Sequence, residues 1–167
     1  YYLVRLEREW LTNEEVLALT KILLESRAFQ KDELSRLIDK LIMQTAVNDR
    51  KTVEEIIRSE YLSYVPLQHN KPLLSPIWQL SEIIHTQKVI SFLYTRQDGK
   101  TSFKTVKPVA IMFSEFYFYL IAYMADNSKN YPIVFRIDRM RDIKETGECF
   151  TIPYKGRFND GEFRKRV

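Results

Sequence analysis

The apolar period of this 167-residue chain changes once, after Lys88, and that change constrains the fold more than any other feature. Before it, apolar residues recur at helical spacing; after it, they alternate at the spacing of strands. The first glycine is Gly99, so the N-terminal part has no Gly-built turns and reads as helices. In "LTNEEVLALTKILLESRAF", Thr12 and Glu15 stand in capping-box spacing ahead of a stripe of Val16, Leu19 and Leu23. "KDELSRLIDKLIMQ" places Leu34, Leu37, Ile38, Leu41 and Ile42 on one helical face. Thr52 and Glu55 repeat the capping box ahead of Ile56 and Ile57.

"YVPLQHNKPLL", residues 64–74, has two prolines and little periodicity and is expected to be a linker. Ser75 is then the expected cap of a helix with Pro76 at its first position and Ile77, Leu80 and Ile84 buried. Beyond Lys88, "KVISFLYTRQDGKTSFKTVKPVAIMF" reads as a hairpin turning at Asp98–Gly99. "FYFYLIAYMA" and "YPIVFRIDRM" follow as further strands, separated by "DNSKN". Several short consecutive antiparallel strands behind one helix predict an α+β chain ending in a small barrel or a strongly bent sheet.

Charge is uneven. Residues 1–60 hold ten Lys and Arg against twelve Asp and Glu, a balance of −2; residues 61–167 hold sixteen against ten, +6. The second part is therefore the better candidate for an anionic partner. No run of eighteen apolar residues occurs, so no membrane-spanning helix is expected. Cys149 is the only cysteine, which points to a reducing cytoplasm. The opening "YYLVRLEREW" lacks an initiator Met, and the chain is expected to be part of a longer protein.

Catalytic constellations are thin. His69 and His85 lie in no metal-ligand pattern, and the four glycines build no phosphate or dinucleotide loop. The expectation is no enzyme, no metal and no cofactor. The aromatic segment "FYFYLIAY" carries more information. As a strand it puts Phe116, Phe118, Leu120 and Ala122 on one face, expected to be core, and Tyr117, Tyr119, Ile121 and Tyr123 on the other. The Tyr face is either core, with hydroxyls bonded at the rim, or a platform on which bases stack. As a strand, "YPIVFRIDRM" sets Ile133, Phe135 and Ile137 against Val134, Arg136 and Asp138. Charges there mean either a rim ion pair of Arg136 with Asp138 or a site for something negative, with Arg96 and Lys107 of the hairpin adding charge.

In their order, "ISFLYTRQDGK", "VKPVAIMF", "FYLIAY" and "FRIDRM" resemble the WYL domain of bacterial transcriptional regulators. The family pattern falls on Tyr94, on Pro108, on Phe118-Tyr119-Leu120 and on Phe135 to Met140, and the likeness covers about residues 75–146. Two positions depart from it: Phe118 replaces the signature Trp, and Ile133 stands where many members have Arg. The resemblance implies a helical coupling or dimerisation region at 1–63, a linker at 64–74, and an Sm- or SH3-like five-stranded barrel at 75–148. It further implies that 149–167 begin a C-terminal extension. It implies a ligand-sensing function, with single-stranded nucleic acid or a nucleotide as ligand and Tyr94, Arg96, Lys107, Tyr119, Arg136, Asp138 and Arg139 as binding residues. A helix-turn-helix domain, upstream of Tyr1, would hold operator DNA, and the protein would be a homodimer. The competing expectation is an oligomerisation scaffold that binds no ligand.

Overall fold

The structure, a computed structural model, describes residues 11–67 and 71–152. The chain divides into two compact units, Tyr1–Pro72 and Leu73–Val167. His69 lies outside the described residues, as do "YYLVRLEREW" and the C-terminal "RFNDGEFRKRV".

The first unit holds three helices: α1 (Asn13–Ser26), α2 (Lys31–Ile42) and α3 (Arg50–Leu62). The expected capping box opens α1. The Thr12 hydroxyl accepts from the Glu15 N–H at 3.3 Å, and the Thr12 N–H donates to Glu15 Oε2 at 2.8 Å. The buried stripe of α1 is Val16, Thr20 and Leu24, while Leu19 is 41% exposed, so the helix is rotated from the expected face. Leu34 and Ile38 of α2 and Val53 and Ile57 of α3 complete this core with Ala28, Phe29 and Tyr64. The second capping box does not form. Thr52 lies inside α3, whose cap is Asp49, and the Asp49 carboxylate instead accepts from Asn13 Nδ2 at 2.8 Å.

In the second unit α4 (Leu74–His85) begins before Ser75. Leu73 is the cap, anchored by burial, and its carbonyl accepts from the Ile77 N–H at 3.0 Å. Pro76 is tolerated one turn in because the first N–H groups of a helix have no intrahelical partner. Leu80 and Ile83 are the fully buried residues of α4, with Ile77 and Ile84 half-buried at the edges of the stripe. The helix packs on the first two strands.

Five antiparallel strands follow: β1 (Lys88–Thr95), β2 (Thr101–Ser114), β3 (Tyr117–Met124), β4 (Ile133–Arg136) and β5 (Met140–Cys149), in spatial order β4-β3-β2-β1-β5. A single 3-10 turn, Ile137–Arg139, joins β4 to β5. Gly99 closes the β1–β2 hairpin at φ +79°, a conformation that costs other residues a Cβ clash. Val106 is the pivot of β2: the strand pairs with β1 before it and with β3 after it. The β2–β3 register then slips by one residue between Pro108 and Ala110, where proline has no N–H to give the ladder.

The sheet is strongly bent. Three strand spacings separate β1 from β4, about 14 Å in a flat sheet. Yet the Phe135 ring of β4 lies 5.3 Å from Phe92 and 5.1 Å from Tyr94, both on β1. Phe92, Ile90, Val106, Leu120, Ile121 and Phe135 form the core inside this curve. No ladder pairs β4 with β5 among the described residues, so the hydrogen-bonded sheet is open rather than closed into the expected barrel. The physical reason lies between those strands, where the 3-10 turn takes up the residues that would form the closing rungs.

Candidate functional site

"YPIVFRIDRM" is not one strand. Pairing ends at Arg136, and the next three residues coil, so that Ile137 and Asp138 are both buried instead of facing opposite ways. The turn brings the Asp138 carboxylate onto the guanidinium two residues earlier. Arg136 Nε donates to Oδ1 at 3.1 Å and Nη2 to Oδ2 at 2.7 Å, a bidentate fork. The Asp138 side chain is 6% exposed and that of Arg136 20%. Burial alone would lower the Arg136 pKa, but the bond to Asp138 and its charge outweigh that and raise it, so the cation is secure.

The flat guanidinium lies over the Tyr117 ring, with Cζ 3.5 Å from the ring centre. Tyr119 is the cross-strand partner of Arg136, and its ring stands edge-on to Tyr117 at 6.5 Å. Burial pushes the Tyr119 phenol above its ordinary pKa, with the Arg136 charge working against it. The two faces expected for this aromatic strand hold only in part. Leu120, Ile121 and Ala122 are all buried, so mid-strand both faces are core. Phe116 leaves the strand altogether: it sits in the β2–β3 turn at φ +71° and is 46% exposed. Phe118, in the signature Trp position, packs its ring on Phe113 at 4.9 Å.

Tyr94 links this cluster to a second place. Its hydroxyl accepts from the Arg136 backbone N–H at 3.2 Å. Tyr94 and Arg96 also line an open cavity of about 530 Å³, together with Lys104, Ser128, Lys129 and Phe135. None of the three cations makes an ion pair among the described residues. Lys107, grouped with these residues on sequence, is held elsewhere by Asn127 Oδ1 at 3.0 Å. Arg139 ends the 3-10 turn, half-buried.

The seven expected residues thus divide. Tyr119, Arg136 and Asp138 form one cluster, Tyr94 and Arg96 line the cavity, and Lys107 and Arg139 join neither. Tyr117, Lys104 and Lys129 are additions from the structure. Tyr117 was legible as a member of the tyrosine face, and Lys104 as the near-diagonal neighbour of Tyr94 across the hairpin. Lys129 lies in a loop, where no period exists to place it. Among the described residues no group of His, Cys, Asp and Glu could hold a metal ion, and no helix is long and apolar enough to cross a membrane.

Comparison with known proteins bears on this unit. The family model described as "WYL domain" matches residues 77–145. No curated protein matches. Among solved structures the chain is similar to proteasome accessory factor B/C (PafBC) of Arthrobacter aurescens, at 15% identity and a TM-score of 0.41. That likeness covers 83% of this chain but 21% of the other, so the chain spans about a fifth of that protein's length. The Tyr94, Pro108, Tyr119 and Phe135-Arg136 positions all fall inside the matched range. Over residues 77–145 the chain is therefore similar to the WYL domain.

Proposed function

We propose that residues 77–145 are a WYL domain and the ligand-sensing module of a bacterial transcription regulator. It takes single-stranded nucleic acid or a nucleotide on its Tyr/Arg surface and controls a DNA-binding domain outside these residues, which holds operator DNA. The observation that carries this reading is the Arg136 guanidinium over the Tyr117 ring, forked onto Asp138. A fixed cation–aromatic step beside Tyr119 supports base stacking, which contributes about 1–3 kcal/mol per base. The remaining N–H donors of Arg136 suit phosphate.

Several finer features belong to the same reading. We take the coiled sheet as an Sm- or SH3-like barrel whose last gap is spanned by the 3-10 turn. The helices of the first unit serve coupling and homodimerisation, the protein acts in the cytoplasm, and the module binds rather than catalyses. The dimer has its own check: sedimentation of the chain at micromolar concentration, where a clean monomer would move dimerisation elsewhere.

Fluorescence anisotropy with labelled single-stranded oligonucleotides over a salt series tests the ligand reading. Affinity should fall by about 0.7 log units per log unit of salt for each phosphate neutralised. Tyr117→Ala should weaken binding, while Tyr119→Phe, which keeps the ring, should preserve the stacking part. The internal satisfaction of Arg136 by Asp138 is what favours the rival reading, a scaffold without ligand. Absence of binding even at low salt would favour that rival.

A further inference from the structure

The cavity beside Tyr94 is not needed for stacking on Tyr117 and Arg136, and its chemistry is different. Arg96, Lys104 and Lys129 converge on it, and no carboxylate lines it. The acidic residues of the two flanking loops are turned to their own backbones. Asp98 Oδ1 accepts from the Lys100 N–H at 3.1 Å, and Asp126 Oδ1 accepts from the Ser128 N–H at 3.0 Å. Lys129 is further held near the Tyr131 ring, 5.5 Å from its centre. Like charges gathered around a concavity repel one another, and a multiply charged anion relieves that repulsion more than a singly charged one. Tyr94 and Phe135 also line it, aromatic side chains suited to the sugar or base that such an anion would carry.

We propose that this cavity is a subsite for a terminal phosphate, the phosphomonoester of a nucleotide, with Arg96, Lys104 and Lys129 as its cationic ligands. A phosphomonoester carries about −1.5 to −2 charges at pH 7, whereas each internal phosphodiester of a strand carries about one. The subsite therefore distinguishes an end from a middle. The same group can arrive on a free nucleotide or at the end of a single strand. The inference rests on the ligand class of the proposed function, but its cations lie outside the Arg136–Tyr117 cluster. The Tyr94 hydroxyl, bonded to the Arg136 backbone N–H, joins the lining of the cavity to the strand that carries Arg136.

The test uses three probes on the same protein: a labelled oligonucleotide with a terminal phosphate, the same strand with hydroxyl ends, and a nucleoside monophosphate competing against its own nucleoside. Phosphorylated strand or nucleotide should bind about tenfold tighter than its unphosphorylated counterpart, the effect of one charge-assisted contact. The Lys104→Gln/Lys129→Gln double variant, checked for an unchanged melting temperature, should erase that preference. Should it melt lower, Arg96→Gln, at the exposed hairpin end, replaces it. A preference seen with the strand alone or the nucleotide alone supports the subsite and identifies the source. Equal binding of phosphorylated and unphosphorylated probes overturns the subsite while leaving the stacking reading intact. No binding by any probe overturns both.

Discussion

The hydroxyl of Tyr94 accepts a hydrogen bond from the backbone N–H of Arg136 at 3.2 Å, joining the first strand to the fourth across the inside of the bent sheet. At that point β4 ends and the chain enters the 3-10 turn. Tyr94→Phe keeps the ring on Phe135 and removes only the acceptor. It should cost about 1 kcal/mol, the usual effect of one lost hydrogen bond at a part-buried site, read as a lower denaturation midpoint. An unchanged midpoint would mean that water replaces the hydroxyl fully.

The Arg136–Asp138 pair is unequal, since the carboxylate is more deeply buried than the guanidinium. Arg136→Ala strands a buried charge and should cost about 2–3 kcal/mol; Asp138→Ala leaves a partly exposed cation still stacked on Tyr117 and should cost less. Arg136→Lys should recover part of the loss, because an ammonium keeps the charge but not the fork. Thermal melts of the three variants check the order. Asp138→Ala proving the more damaging would show that the carboxylate has a structural role beyond this pair.

Thr20 offers a gain. Its hydroxyl is fully buried in the helical unit with no hydrogen-bond partner among the described residues. Thr20→Val fills nearly the same volume without the unpaired oxygen and should raise stability by about 1 kcal/mol, measured as a higher denaturant midpoint with unchanged slope. A loss instead would mean that the hydroxyl is satisfied in solution.

Tyr64 ties stability to alkaline pH. Its hydroxyl donates to the Phe29 carbonyl, and burial raises its pKa above 10.0, with the Arg27 charge working the other way. The unfolded chain therefore ionises this phenol first. Its contribution is full below about pH 10 and is lost as pH rises through the higher folded value. The denaturation midpoint of the wild type should fall more steeply above pH 10 than that of Tyr64→Phe. Parallel curves would show that the folded phenol titrates normally.

Much of this architecture is legible without coordinates, because helices and hairpins are specified by contacts between near neighbours. The Thr12–Glu15 box, the Asp98–Gly99 turn and the change of period after Lys88 each involve residues a few positions apart, and each appears where expected. Where local signals competed, contacts beyond the local sequence decided. Thr52 and Ser75 look like caps, but Asp49 is engaged by Asn13 and Leu73 is pinned by its own burial, so both helices start earlier. What no local pattern reveals is the curvature of the sheet. It sets Tyr94 on Phe135 and on Arg136, the latter forty-two residues away, and it gathers Arg96, Lys104 and Lys129 from a hairpin and a loop around one cavity. Residue type and spacing determined that Arg136 and the tyrosines would lie on adjoining strands, with Asp138 two residues further on. Only the bend of the sheet and the 3-10 turn decided that Arg136 would close on Asp138 while Arg96, Lys104 and Lys129 lined the cavity, because side-chain partners depend on distances that sequence separation does not encode.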